Sequence, residues 1–358
     1  MQIYEYLFAG LVIILILTAS TIMVTTIATP TNNAADKNQL SVTAQKVMTQ
    51  MLLDAGYPND WGTTGVEPRV FGLAKCGEIS RQAYELDPDK VLRLDSRMPD
   101  YLPPSRTVEL LNLANTQGAA EYGFTLQFSE TMHVSAPVQV GGVDNYTITV
   151  TSQYALPISG AEVAATLYYI DNTHTAIINH TQTLHGKTGY DGAYTAGFDT
   201  SITTAKILAV TVDYYGAQLT KFYPLSSGAT ATLYQNRLVP ETNQSYSIGS
   251  GSDAREILLC NNNGTYTTKD IAAINAGSAT NFVVNGTLEP QAVAVIAITG
   301  TTQNQLLLAS RDFSNINYQT INIQQAAPSG TYAYSMERTV VIGGSVYTAT
   351  LYLWRMTT

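Results

Sequence analysis

Pro157-Ile158-Ser159-Gly160-Ala161-Glu162-Val163-Ala164-Ala165-Thr166-Leu167-Tyr168-Tyr169-Ile170 begins with turn residues and continues as an alternating run rich in Val, Thr, Tyr and Ile. That composition and period favour a strand with one buried face. Its neighbours repeat the pattern: Asn145–Thr151, Ala176–Thr183, Lys206–Tyr214 and Gln218–Tyr223, with turn signals between them. Several short strands at this spacing predict a β-sandwich over residues 133–224.

Working outward, more strands follow: Ala231–Tyr234, Glu256–Leu259, Phe282–Leu288, Ala292–Thr299, Gln305–Ala309, Asn317–Ile323, Tyr332–Ile342 and Ser345–Trp354. Gly343-Gly344 between the last two is a hairpin signal. Before the sandwich, Tyr122–Phe128 alternates as a strand, and residues 86–116 carry two short helices. Asp87-Pro88 supplies an N-cap and a first-turn proline for one helix, leading into Lys90–Leu94. Ser105 opens the other, through Thr107–Leu113. Two arrangements stand. The sandwich is inserted in a head built from 31–130 and 225–358, or the units follow in series.

Composition narrows the function. Charged residues make up 13% of the chain, well below the usual quarter, and 23 Tyr stand against 8 Phe. Polar, tyrosine-rich strands suit a secreted protein. The net charge is −9, with Lys and Arg scattered singly, so no basic cluster exists for nucleic-acid phosphates. Cys76 and Cys260 are the two cysteines; in an exported chain they form a candidate disulfide. They have no CxxC or Cys/His spacing for zinc.

The N-terminal stretch has no charge from Tyr6 to Ala35, and Leu7–Ile27 is nearly all apolar. About 21 residues at 1.5 Å each span roughly 30 Å, one bilayer crossing. The stretch lacks the positive n-region of a cleaved signal, which predicts a retained anchoring helix over 1–30 with Leu7, Leu11, Ile14 and Leu17 in its apolar surface. Asn145, Asn179, Asn243, Asn263 and Asn285 each begin an N-x-[ST] glycosylation motif. All five lie beyond residue 140, which points to an exported body with its N-terminus inside. The predicted fold class is therefore mainly β with a long N-terminal hydrophobic α-helix. Leu40, Ala44, Val47, Met51 and Leu52 then form an apolar helical stripe, for the protein's own core or for a neighbouring subunit.

Met1-Gln2-Ile3-Tyr4-Glu5-Tyr6-Leu7 ahead of the apolar run resembles the start of archaeal type IV pilins and other class III signal proteins. The resemblance covers about the first 30 residues. It implies that Glu5 is an assembly contact to a neighbour's N-terminal amine, and a carboxylate beside apolar sequence needs such a partner. The family's short basic leader ending in Gly does not precede Gln2 here. A chain numbered from its mature start and one never processed both fit. Gly56-Tyr-Pro-Asn-Asp-Trp-Gly62 with Val70-Phe-Gly-Leu-Ala74 resembles a stretch that follows the helix in archaeal pilin-like membrane proteins. Read from its residues, it is a tight turn with Trp61 docked on the helix end. Pro157–Val163 with Thr188–Thr195 resembles the small Ig-like domains of surface proteins.

Chemistry is sparse. His133, His174, His180 and His185 are the four histidines; the last three, close in sequence, read as exposed strand residues rather than metal ligands. No Gly-x-Ser-x-Gly, HExxH, P-loop or dinucleotide fingerprint occurs. Asp87, Asp89, Asp95 and Asp100 read as a solvated acidic helix face. The expectation is a non-enzymatic surface protein without cofactor or metal. It is a pilin-like filament subunit, minor or at the tip, with a glycosylated head for adhesion. Its partners are the membrane, other copies or related pilins, and a surface ligand. A monomeric membrane-tethered adhesin, receptor or envelope stalk is the alternative.

Overall fold

The computed structural model describes residues 37–356 except 77–83, 115–116, 119, 142–143, 171–177, 199–205, 226–228, 236, 241–252, 263–264, 272–292, 300–304, 315 and 321–331. Helix α1 (residues 37–53) buries Leu40, Ala44, Val47, Met48, Met51 and Leu52 and exposes Lys37, Gln45 and Lys46 on its other side. The stripe at helical spacing thus faces the protein's own core. Three short helices follow: α2 (Trp61–Thr64), α3 (Pro88–Leu92) and α4 (Pro104–Leu110). They pack with α1 into the larger of the two hydrophobic cores among the described residues.

Between α2 and α3 comes the two-residue β1 (Glu85–Leu86), and after α4 comes β2 (Tyr122–Glu130). The sandwich then takes over: β3 (Met132–Val134), β4 (Val138–Gln139), β5 (Asn145–Ser152), β6 (Glu162–Ile170), β7 (Ile178–His180), β8 (Leu184–Lys187), β9 (Ala193–Gly197), β10 (Lys206–Tyr214) and β11 (Ala217–Pro224). One sheet runs β11-β10-β6-β7 with β8 also on β6; the other runs β3-β5-β4 with β9 on β5. Strand alternation builds the second core between them. Tyr146, Ile148 and Val150 of β5 point inward, as do Val163, Ala165 and Leu167 of β6.

A six-stranded sheet follows, of β12 (Ala229–Tyr234), β13 (Arg237–Pro240), β14 (Asp253–Asn262), β15 (Thr265–Ile271), β16 (Val293–Thr299) and β17 (Gln305–Ser310). Its order is β13-β12-β17-β16-β14-β15. The chain returns through β18 (Asn317–Gln319), β19 (Ala333–Ile342) and β20 (Ser345–Arg355), and the head sheet runs β1-β19-β20-β2-β18. Gly343 and Gly344, at φ 56° and 81°, turn β19 into β20 with the positive φ values that a tight hairpin requires. β2 pairs antiparallel with β20 from Tyr122↔Arg355 to Glu130↔Tyr347. Residues 132–224 close on their own core, and together with the six-stranded sheet they lie in sequence between β2 and β20, which are sheet neighbours. Lys221 of β11 ion-pairs with Glu130 at the end of β2 and joins the two bodies.

The predicted fold class needs correction. Its β part is consistent with the structure, but among the described residues no helix is long and apolar enough to cross a membrane. The longest described helix, α1, has the wrong character for a bilayer: one face is apolar and buried, the other carries Lys37 and Lys46. Glu5, Leu7, Leu11, Ile14, Leu17 and the rest of the expected anchor lie outside the described residues. The second short helix starts earlier than read, at Pro104 with Pro103 rather than Ser105 as its cap, because Pro104 at the first helical position fixes φ. The strand expected over Ala176–Thr183 has, among its described residues, β7 alone, with β8 beginning at Leu184.

Candidate functional site at the helix–head junction

The segment after α1 folds back across its C-terminal end. Leu73 N donates to Met51 O at 2.8 Å and Ala74 N to Asp54 O at 2.9 Å. That approach requires glycine at 72, where a Cβ would stand 2.2 Å from Asp54 O. Under this crossing lies Trp61, fully buried; its Nε1 donates to Gly72 O at 3.1 Å and its ring tilts against Phe71 at 6.1 Å. Trp61 therefore sits at the end of α1, inside the head core.

Two cations from α3 and its C-cap are sunk into the same place. Asp87 caps α3 as read, its Oδ1 accepting from Asp89 N at 2.9 Å and Lys90 N at 3.2 Å. Lys90 is fully buried, and its Nζ donates to Ala55 O and Ala74 O, each at 2.9 Å. Burial pushes its pKa down, against the pull of Asp87 and more distant acids. Arg93 donates from Nη1 to Trp61 O at 2.5 Å and Val66 O at 2.8 Å, and from Nε to Asp100 O at 2.7 Å. Lys90 thus ties two chain crossings and Arg93 three, through carbonyl oxygens that strand pairing does not use.

The acidic residues are not the solvated face expected. Asp89 is buried, and its Oδ1 accepts from Arg311 Nη2 at 3.0 Å and Gln235 N at 3.2 Å. Its pKa is raised, chiefly by burial, with Arg311 acting in the opposite direction. Gln235 Nε2 donates to Gly62 O at 2.9 Å, and Tyr234 OH donates to Asp100 Oδ2 at 3.3 Å. The six-stranded sheet is clamped to the helical neck through these contacts. The correction has a plain cause: Arg311 and Gln235 lie over 140 residues away, beyond any local pattern.

The other candidates are dispersed. Cys76 is an exposed free thiol whose sulfur lies 2.9 Å from Asn59 Nδ2, while Cys260 stands on β14 opposite Thr267. The expected Cys76–Cys260 bridge is therefore not formed, and the hydrogen bonds of Lys90 and Asp89 join these parts instead. Asn145 opens β5 opposite Gly197, half-buried, and Asn179 stands on β7 opposite Tyr169. Asn243, Asn263 and Asn285 lie outside the described residues, as does His174. His133 is exposed, 3.9 Å from Glu130; His180 and His185 stand on β7 and β8. Among the described residues no group of three or more His, Cys, Asp or Glu could hold a metal ion. Sequence reasoning missed Lys90, Arg93, Asp89 and Arg311; the Lys90-Val-Leu-Arg93 spacing, with both cations on one face of a short apolar helix, was the available signal.

No family model matches the sequence, and no curated protein matches it. Among solved structures, the chain matches trypsin-activated alpha-2-macroglobulin from Escherichia coli at 10% identity, with a TM-score of 0.21. The match covers 59% of this chain and 18% of that one, so this chain spans less than a fifth of that protein's length. A likeness this slight defines neither fold nor function.

Proposed function

We propose that this chain is a structural cell-surface protein, a type IV pilin-like subunit in a minor or tip position that holds a β-rich head outward for adhesion. The observation that carries the reading is the joint between α1 and the head. Trp61, Lys90 and Arg93 bury the end of the helix in the head core, with carbonyl oxygens as partners. A load along α1 enters a packed core there rather than a flexible linker, which suits a part pulled from its N-terminal side. The pilin-like start at Gln2–Leu7 and the apolar sequence after it add to the reading, with Glu5 as the assembly contact and the N-terminus inside.

A second reading, a monomeric tethered adhesin or receptor, has its own support. The apolar stripe of α1 is spent on the head core, so these positions offer no seam to a neighbour. Electron microscopy of sheared surface filaments, with mass spectrometry for this chain, separates the two. Recovery in filaments, lost in Glu5→Gln, supports the subunit reading. A chain that stays with the membrane while filaments shear off rejects it in favour of the tethered adhesin.

A further inference from the structure

We infer that the tyrosine-rich end of the sandwich is a docking surface for a protein segment carrying Lys or Arg side chains. Three loops meet there: 153–161 between β5 and β6, 188–192 between β8 and β9, and the Tyr215-Gly216 turn between β10 and β11. Register brings them together, since Glu162 at the start of β6 pairs with Asp213 of β10 on one side and Lys187 of β8 on the other. Thr188 Oγ1 accepts from Ala161 N at 3.0 Å and donates to Ile158 O at 2.6 Å; Val150 N donates to Gly192 O at 2.8 Å.

The loop tips carry Tyr154, Leu156, Tyr190 and Tyr215, exposed at 74%, 64%, 91% and 93%. Single exposed apolar residues are ordinary, but four on three adjoining loops make a patch. The loops are also held in one shape. Ser152 Oγ accepts from Tyr154 N at 3.2 Å and Leu156 N at 3.3 Å, and Asp191 Oδ1 accepts from Ala193 N at 3.0 Å. Backbone energy is spent on the display. Tyr215, at φ 52°, occupies a hairpin position where Asn or Gly is at ease; its ring stands edge-on to Tyr214 at 4.6 Å and is otherwise open to solvent. Rigid tyrosines on preorganised loops are the usual makings of a protein-binding surface.

Charge selects the partner. At the rim Glu162 pairs with Lys187 at 3.1 Å, which leaves Asp191 and Asp213, each accepting only a backbone N–H, as the carboxylates with no cation opposite among the described residues. Acidic groups around exposed tyrosine faces favour guanidinium and ammonium groups by ion pairing and cation–π contact. A second copy is a poor fit, because the chain's 18 Lys and Arg are scattered singly. The inference needs only an outward-facing head, so the filament test neither supports nor sinks it.

The test measures full-length protein on a biosensor against an immobilised Gly-Arg repeat nonapeptide, its Gly-Glu and Gly-Ser counterparts, and a mannan surface. The Arg peptide should bind at least tenfold tighter than the others. Tyr190→Ala and Tyr215→Asn should each weaken it about tenfold, the loss typical of an interface anchor. Both variants keep the rim charge, and Tyr215→Asn suits its turn, so misfolding and bulk electrostatics do not imitate that result. Equal binding to all peptides, or undiminished binding by both variants, overturns the proposal. Preference for mannan, or tyrosine-dependent self-association in sedimentation, overturns the choice of partner.

Discussion

Arg93 lays its guanidinium 5.0 Å from the centre of the Trp61 ring while its Nη1 hydrogen-bonds the Trp61 carbonyl oxygen at 2.5 Å. One side chain thus holds the other by face and by backbone. Arg93→Lys keeps the charge but loses the fork that reaches Trp61, Val66 and Asp100 together. A loss of about 2 kcal/mol is expected from buried carbonyls left without donors. Urea denaturation followed by tryptophan fluorescence measures it; a midpoint unchanged by the substitution refutes the joint.

Lys90 and Asp89 give the stability a signature in pH. The Lys90 pKa is lowered from 10.5, mainly by burial, so the unfolded chain binds its proton more tightly. Its contribution is complete above 10.5 and is lost as pH falls through the folded value. The Asp89 pKa is raised from 3.8, again mainly by burial, so its contribution is complete below 3.8 and is lost as pH rises through the folded value. Lys90→Met should flatten the alkaline side of a stability profile and Asp89→Asn the acidic side. Each should also cost roughly 1–3 kcal/mol at neutral pH, through lost donors to Ala55 and Ala74 or the lost carboxylate charge opposite Arg311. Unfolding midpoints across pH, with each variant beside the parent, decide this.

Gly72→Ala tests the crossing over α1. A Cβ 2.2 Å from Asp54 O meets backbone, not the end of a flexible side chain, so the strand must lift off the helix. The expected cost is about 3 kcal/mol, at the upper end for overpacking. Limited proteolysis should show new cleavage between Asp54 and Gly72; a parent-like digestion pattern contradicts the packing.

Much of the β architecture could be read from local pattern. Lys206–Tyr214, read as a strand, is β10 over the same residues, buried on both faces from Ile207 to Val212; the strand read to start at Tyr122 is β2; Gly343-Gly344 turns the last hairpin. Asp87-Pro88 announced its helix because cap and first turn are adjacent in sequence. What escaped depends on distant partners. Asp89 reads as a surface acid until Arg311 arrives from beyond the sandwich, and Lys90 until Ala55 and Ala74 are folded over it. The parallel pairing of β12 with β17 has no sequence signal, since Leu307 meets Ala229 only after the whole sheet forms.

Cys76 provides the sharpest check on how the head is held together. An exposed free thiol should react in native, unreduced protein, whereas a Cys76–Cys260 bridge would block it and join parts 184 residues apart in sequence. Iodoacetamide treatment without reductant, followed by peptide mass spectrometry, should find Cys76 alkylated. Cys76→Ser should leave the unfolding midpoint within about 0.5 kcal/mol of the parent, the usual range at an exposed site. A native bridge there would instead contribute about 2–5 kcal/mol, because it would close a long loop in the unfolded chain. Protection of Cys76 until reductant is added, with a large loss in Cys76→Ser, would mean that a covalent tie, not the Lys90 and Asp89 contacts, holds the six-stranded sheet to the neck.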